Sequence, residues 1–487
     1  MEYSISLRKH WWFDAGIAGL YTISKSEDER LDKYNITVEI DSANQAIKFR
    51  GKNNSMDIEE LRSFFLTCYE ILAEKYWNVS TVKQKENPEL VVYNQEEDEI
   101  VLMPKRNPTP VVSMFVGARS WRGNGIPYKD IKDPLKTRVD EFLKVKKSKL
   151  WGSKNLLLYE QPVCHQKLEI LPEEKKKGKK ETCCICGQQS QHVSEVGLPS
   201  FLLFASSNAA KSFNSQAKNP AKICWECEFI SKFAVEAASY KQTGNNIFVI
   251  QVTSLDVDKV IEMQKEFGSL SLLRMMDDMY FYSNIGQEAD SLIKYCTSPY
   301  ELLWAFMEEK YNFILNESSE DIENLNDMEF DSFIRDLLEC FSKVPVYINM
   351  MHAVDSGDTF LTKSLIIYDE LGYFYRLLHY LKKCGINTRS LFNSFYEEKN
   401  IFREKILRKV LTKNKVLSLI EQFCFRKVMA EDKNDSSKKW LSMNNILSFA
   451  VEYEQIIRSD EMNKEQIETA VNLGKQIVIQ AVEVGKT

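Results

Sequence analysis

Histidine is scarce in this 487-residue chain: five copies, at positions 10, 165, 192, 352 and 379, none beside another and none in an H-E-x-x-H helix. There is also no G-x-x-x-x-G-K-[ST] phosphate loop and no G-x-S-x-G elbow. A chain of this size without these elements reads as a binding or scaffolding protein rather than an enzyme, and no catalytic residue is assigned. No run of about 18 apolar residues could span a bilayer. The opening MEYSISLRKHWWF lacks the basic-then-apolar layout of a secretory leader, so the expected location is the cytoplasm, with no membrane partner. Prolines stop at Pro345, and no internal repeat of about 20 to 50 residues is present.

Charge of one sign is lacking too. Sixty-four basic and 70 acidic residues leave a net charge of -6, so the overall balance gives no hint of nucleic acid and only the local distribution can. The 11 cysteines are an odd number, and Cys68, Cys164, Cys184, Cys296, Cys340, Cys384 and Cys424 sit singly. Such scatter is no disulfide framework.

Four cysteines do form a pattern. Cys183-x-x-Cys186 and Cys224-x-x-Cys227 are two knuckles separated by 37 residues, the spacing at which four thiolates enclose a tetrahedral Zn²⁺. Cys184 is the spare, because a two-residue gap from it ends on Gly187. The competing readings are buried cysteines without a metal and a redox pair, although redox use needs only one C-x-x-C. A four-thiolate site has no open position, so it staples a fold. His165 and His192 lie near the knuckles, but in no spacing that a histidine-containing nuclease finger requires.

The expected fold class is α+β: a mixed N-terminal domain with an inserted four-cysteine zinc finger, then an all-helical C-terminal bundle. Residues 1–150 form the N-terminal α/β part, with strands at NITVEI, QAIKFR, ELVVYN, EIVLMP and PVVSMFVG and an amphipathic helix over 56–77. Residues 151–245 hold the lysine-rich arm LPEEKKKGKKE and the zinc-finger segment. Residues 246–344 complete the N-terminal domain, opening on the strand NIFVIQVTSL and turning helical, and 345–487 are the bundle. The stretch WWFDAGIAGLYTI reads as a tight turn that sends its aromatic and aliphatic side chains into a core, with a phosphate loop at Gly16 and Gly19 as the weaker alternative.

Two basic segments are candidates for a nucleic-acid backbone. Lys105, Arg106, Arg119 and Arg122 surround the loop GARSWRGNG, where Arg forks suit phosphates or guanine edges, Asn124 an adenine edge, and Trp121 could stack or wedge. The alternative is an ordinary charged hairpin. Between Arg376 and Lys427 there are 13 Lys/Arg against four Glu and no Asp, which is 13 - 4 = +9. Arg403, Lys405, Arg408, Lys409, Lys413 and Lys415 are read there as the polar face of FREKILRKVLTKNKVL. That face is either an electrostatic track or a solvated surface.

FDAGIAGL at 13–20, the paired C-x-x-C motifs at mid-chain and the helical C-terminus together resemble the large subunit of the type I-B CRISPR Cascade complex. The resemblance covers nearly the whole length. It implies a non-catalytic subunit of a crRNA-guided complex that recognises the protospacer-adjacent motif on double-stranded target DNA, helps to open it, holds the displaced strand and recruits a helicase-nuclease. Its partners would be the crRNA and the backbone, crRNA-end-binding and small subunits, with residues 117–125 as the expected reading loop. It further implies that an internal start at Met350 or Met351 could yield a separate small subunit. The alternative is a stand-alone zinc-stapled nuclease or nucleic-acid-modifying enzyme, for which Asp277 and Asp278 would be the acids to test.

Overall fold

The computed structural model describes residues 2–51, 56–75, 89–104, 121–122, 124–152, 154–160, 163–164, 168–173, 178–196, 222–243, 246–266, 298–317, 346–355, 360–395, 402–429 and 436–457, with a few isolated positions besides. The chain divides into two units, Met1–Met275 with His352–Lys363, and Met276–Met351 with Ser364–Thr487.

In the first unit, β1 (Glu2–Ser6), β2 (Ile36–Asp41) and β3 (Ala46–Gly51) form an antiparallel sheet in the order β1-β3-β2. Its strands alternate as a half-buried sheet should, with Val38, Ile47 and Phe49 inward. Helix α1 (Trp11–Ser24) follows β1, a short turn α2 (Glu29–Asp32) precedes β2, and α3 (Ile58–Lys75) follows β3. Phe65 of α3 meets Phe49 edge-on at 4.8 Å and Tyr3 at 5.9 Å, fastening α3 to the sheet.

FDAGIAGL is therefore helix, and the tight turn expected there is corrected. Eleven of the 14 residues of α1 are buried. A helix that is apolar nearly all round must be covered on most sides, and its neighbours are α3, β15 (Asn246–Ser254), α5 (Trp225–Phe233) and α6 (Val257–Glu266). His10 caps its start, the side chain accepting from Trp12 N at 3.3 Å. Asp14, 3 % exposed, accepts from the backbone N–H groups of Arg8 at 2.5 Å and His10 at 2.9 Å. Burial pushes the Asp14 carboxyl up to about 6 against the pull of those donors.

A second sheet of the same unit has the order β5-β4-β8-β7, from β4 (Glu89–Asn94), β5 (Glu99–Pro104), β7 (Gly125–Pro127) and β8 (Leu156–Leu158). One face buries Val91, Ile100 and Leu157 with Val139 of α4 (Leu135–Lys146), and the other buries Leu90, Val92 and Leu158. β6 (Trp121–Arg122) pairs with β9 (Val163–Cys164). PVVSMFVG lies outside the described residues.

In the second unit α7 (Pro299–Glu317) belongs with α8 (Leu371–Lys383), α9 (Thr388–Ser394), α10 (Phe402–Leu411), α11 (Leu417–Met429) and α12 (Ser436–Ile457). Trp304 of α7 packs edge-on between Phe374 and Phe392 at 4.8 and 4.6 Å. Glu454 of α12 caps α11 across the core, accepting from Val416 N at 3.0 Å and Leu417 N at 3.3 Å. The expectation of helix throughout 345–487 is corrected: β16 (Val346–Asp355) and β17 (Phe360–Tyr368) are strands. Met350 and Met351, both fully buried, lie inside β16, so neither falls between elements. Among the described residues no helix is long and apolar enough to cross a membrane.

Candidate metal centre

The first knuckle is a tight loop between β10 (Glu181–Thr182) and β11 (Gln189–Ser190). Cys183 N donates to Gln188 O at 2.9 Å, Gly187 N returns to Cys183 O at 3.0 Å, and Ile185 N points at Cys183 Sγ at 3.4 Å. Gly187 sits at φ +73°, the left-handed conformation that lets the chain turn back directly after Cys186. The second knuckle is a strand-to-helix junction. β12 (Val193–Glu195) pairs with β13 (Lys222–Cys224), and Cys224 is the N-cap of α5, its Sγ accepting from Cys227 N at 3.5 Å. A 2.9 Å bond from Cys184 N to Lys222 O sews the two knuckles together.

The four sulfurs of Cys183, Cys186, Cys224 and Cys227 lie within 4.8 Å of one another, with Cys186 and Cys224 at 3.7 Å. With metal–sulfur bonds of about 2.3 Å, a tetrahedral edge is about 3.8 Å, so the cluster has the right size for one ion. The spare is confirmed by position: Cys184 is exposed and outside the cluster. The thiols also crowd one another electrically. The nearby thiols of Cys186, Cys224 and Cys227 draw Cys183 toward the thiolate, while the proximity of Cys183, Cys186 and Cys224 holds Cys227 as a thiol. A dication at the centre resolves that conflict by taking all four as thiolates. The arrangement can hold a metal ion and is compatible with zinc.

The cluster is set into the core of the first unit rather than hung from it. Phe229 of α5 stacks obliquely on Phe65 at 5.1 Å, and Glu226 takes both Tyr3 Oη and a part-buried ion pair from Arg8. On the far side the backbone of α5 comes directly against α1 at Gly16 and Gly19. A Cβ on Gly16 would stand 2.1 Å from Ile230 O, and one on Gly19 would stand 2.0 Å from Phe233 O. Gly16 and Gly19 thus serve close helix packing, and the phosphate-loop alternative is set aside. Sequence reasoning missed this role because the partner helix is about 210 residues away; the cue was G-x-x-G inside an otherwise apolar, helix-length run.

His192 is no ligand: its ring bonds Glu169 Oε2 at 2.9 Å and Glu173 O at 3.0 Å. His165, Asp277 and Asp278 lie outside the described residues.

The residues expected at nucleic acid are not gathered into one site. Lys105, Arg106 and Arg119 lie outside the described residues, and Trp121 and Arg122 are placed only as backbone of β6. Asn124 is exposed and its carbonyl accepts from Tyr159 N at 2.8 Å. Arg403 is corrected outright: it is buried, with Nε 2.8 Å from Glu301 Oε1, because it falls within the apolar stripe of α10. Arg408 is exposed and lies over the Tyr300 ring at 5.5 Å. Lys409 donates to Lys415 O at 3.2 Å, and Lys413 pairs with Glu370 at 2.7 Å while lying 4.9 Å over Tyr373. Arg403 and Lys413 thus spend their charges on local carboxylates. No protein-family model matches the chain, and a search of the curated proteins gives no match.

Proposed function

We propose that the protein is a non-catalytic large subunit of a crRNA-guided DNA surveillance complex of the type I-B Cascade kind, cytoplasmic and stapled by one structural Zn²⁺ on Cys183, Cys186, Cys224 and Cys227. The observation that carries the reading is the four-cysteine cluster built onto the FDAGIAGL helix, which unites in one core the two motifs on which the resemblance rests. Four thiolates suit zinc in a reducing compartment and leave it no open position, so its contribution is to fix the knuckles and the first turn of α5. On this reading the crRNA supplies sequence specificity, while the protein reads a short motif on the duplex, holds the displaced strand and recruits the helicase-nuclease. The other Cascade subunits complete the assembly.

The test is affinity purification of the tagged chain from its host. The expected result is an RNA of defined length, several partner proteins and one zinc per chain by elemental analysis. Recovery without RNA, together with metal-dependent cleavage by the isolated chain, overturns the reading in favour of a stand-alone nuclease.

A further inference from the structure

We propose that the lysine-rich end of α4 and the hairpin after it bind the phosphodiester backbone of a nucleic acid. Residues 142–158, FLKVKKSKLWGSKNLLL, hold five lysines and no acid. Lys144, Lys146, Lys147, Lys149 and Lys154 are all exposed.

The two halves of α4 differ. Near its start the charges are matched: Arg138 pairs with Asp98 at 2.9 Å, Lys136 lies 5.1 Å over the Tyr128 ring, and Tyr128 donates to Asp140 at 2.7 Å. Beyond Glu141 the next acid is Glu160. A helix C-terminus favours cations, which accounts for Lys144 and Lys146, but that field fades within a turn and does not account for Lys154.

The mounting is ordered. Lys147 turns the chain in a left-handed conformation at φ 50°. Trp151 and Leu156 then close a hairpin through bonds of 3.0 and 2.8 Å, with Lys154 in its loop. Tyr128 N bonds Asn155 O at 2.9 Å and ties that hairpin down. With at most one phosphate contact per cation, Lys144, Lys146, Lys147 and Lys154 make on the order of two to four contacts. A phosphodiester backbone is favoured over an anionic bilayer because α4 has no apolar face to insert: Leu135, Val139, Phe142 and Leu143 are committed to the sheet.

The inference rests on the nucleic-acid part of the proposed function and not on the guide-complex part. Its test uses the full chain and fluorescence anisotropy with a labelled single-stranded DNA, a single-stranded RNA and a duplex DNA, each titrated across a range of salt. The test variant combines Lys144→Gln, Lys146→Gln, Lys147→Gln and Lys154→Gln, with zinc content and circular dichroism checking the fold. The expected result is a log–log salt slope shallower by about 2 to 3 units on whichever nucleic acid the wild type binds, the three arms distinguishing DNA from RNA. An unchanged slope and affinity overturns the proposal. So does a wild-type chain that binds none of the three with salt dependence, including one that binds only anionic vesicles. A shallower slope in a chain that co-purifies with no RNA upholds the patch and removes the guide complex.

Discussion

Gly16→Ala is the most direct probe of how the metal centre is held. The added methyl would stand 2.1 Å from Ile230 O and 2.9 Å from its carbonyl carbon, both backbone atoms of α5 that no rotamer change can move. Ordinary contact begins at 3.4 Å, so α1 and α5 must part by about 1.3 Å, opening gaps beside fully buried Phe13, Ile17 and Phe233. Overpacking of this kind costs about 1–3 kcal/mol, and lost dispersion along the opened seam adds to it. Against this, alanine gains about 1 kcal/mol of helix propensity over glycine. The clash wins by about 1 kcal/mol before the lost dispersion is added, a fall of about 2–4 °C in the melting temperature of the first unit. Since α5 carries Cys224 and Cys227, zinc release to a chromogenic chelator should also be faster in the variant. Gly19→Ala should behave alike, and the double variant should lose less than the sum, because one separation relieves both clashes. A variant that melts at or above the wild type, with unchanged zinc release, would refute the close-packing argument.

Serine at any of Cys183, Cys186, Cys224 or Cys227 should abolish stoichiometric zinc by elemental analysis, whereas Cys184→Ser should keep it; loss in the latter would mean that the ligand set is misassigned. Arg403→Ala leaves Glu301 buried without its ion pair and should cost about 3–5 kcal/mol in chemical denaturation, with no change in the salt slope of nucleic-acid binding. A stable variant with a shallower slope would place Arg403 at the surface. Asp14 gives a pH signature. Its carboxyl is higher in the fold, about 6, than its ordinary 3.8, so the folded state binds the proton more tightly. Its contribution to stability is full below pH 4, falls as pH rises toward 6 and is flat beyond, a decline of about 3 kcal/mol over two units. Asp14→Asn should remove that decline from the unfolding profile, and parallel profiles for variant and wild type would refute it.

What was legible in the sequence was whatever is encoded within a few residues of itself. The C-x-x-C spacing brings its own cysteines together, and the strands at 36–41 and 46–51 announce themselves by alternation, so the four-cysteine cluster and these strands are legible from local sequence alone. The errors arose where the deciding neighbour was remote. FDAGIAGL contains two glycines that locally favour a turn, and only the bare backbone of α5, brought there by the fold, makes them an asset in a helix. YINMMHAV falls in the segment read as helix throughout 345–487, yet Ile348, Met350 and His352 share one side of a strand while their neighbours share the other. Arg403 is the most instructive case, because its local cue was present. Phe402, Arg403, Ile406, Leu407 and Val410 make one continuous buried stripe with a cation inside it. A cation in that register has to find a buried carboxylate, and Glu301 lies 102 residues earlier in the chain. Counting charge along the segment gave +9, but the availability of each charge depends on its place in the helical period. By that criterion Lys144 and Lys146, at the end of α4 and outside its apolar stripe, offer exposed cations with no acid between Glu141 and Glu160 in the sequence.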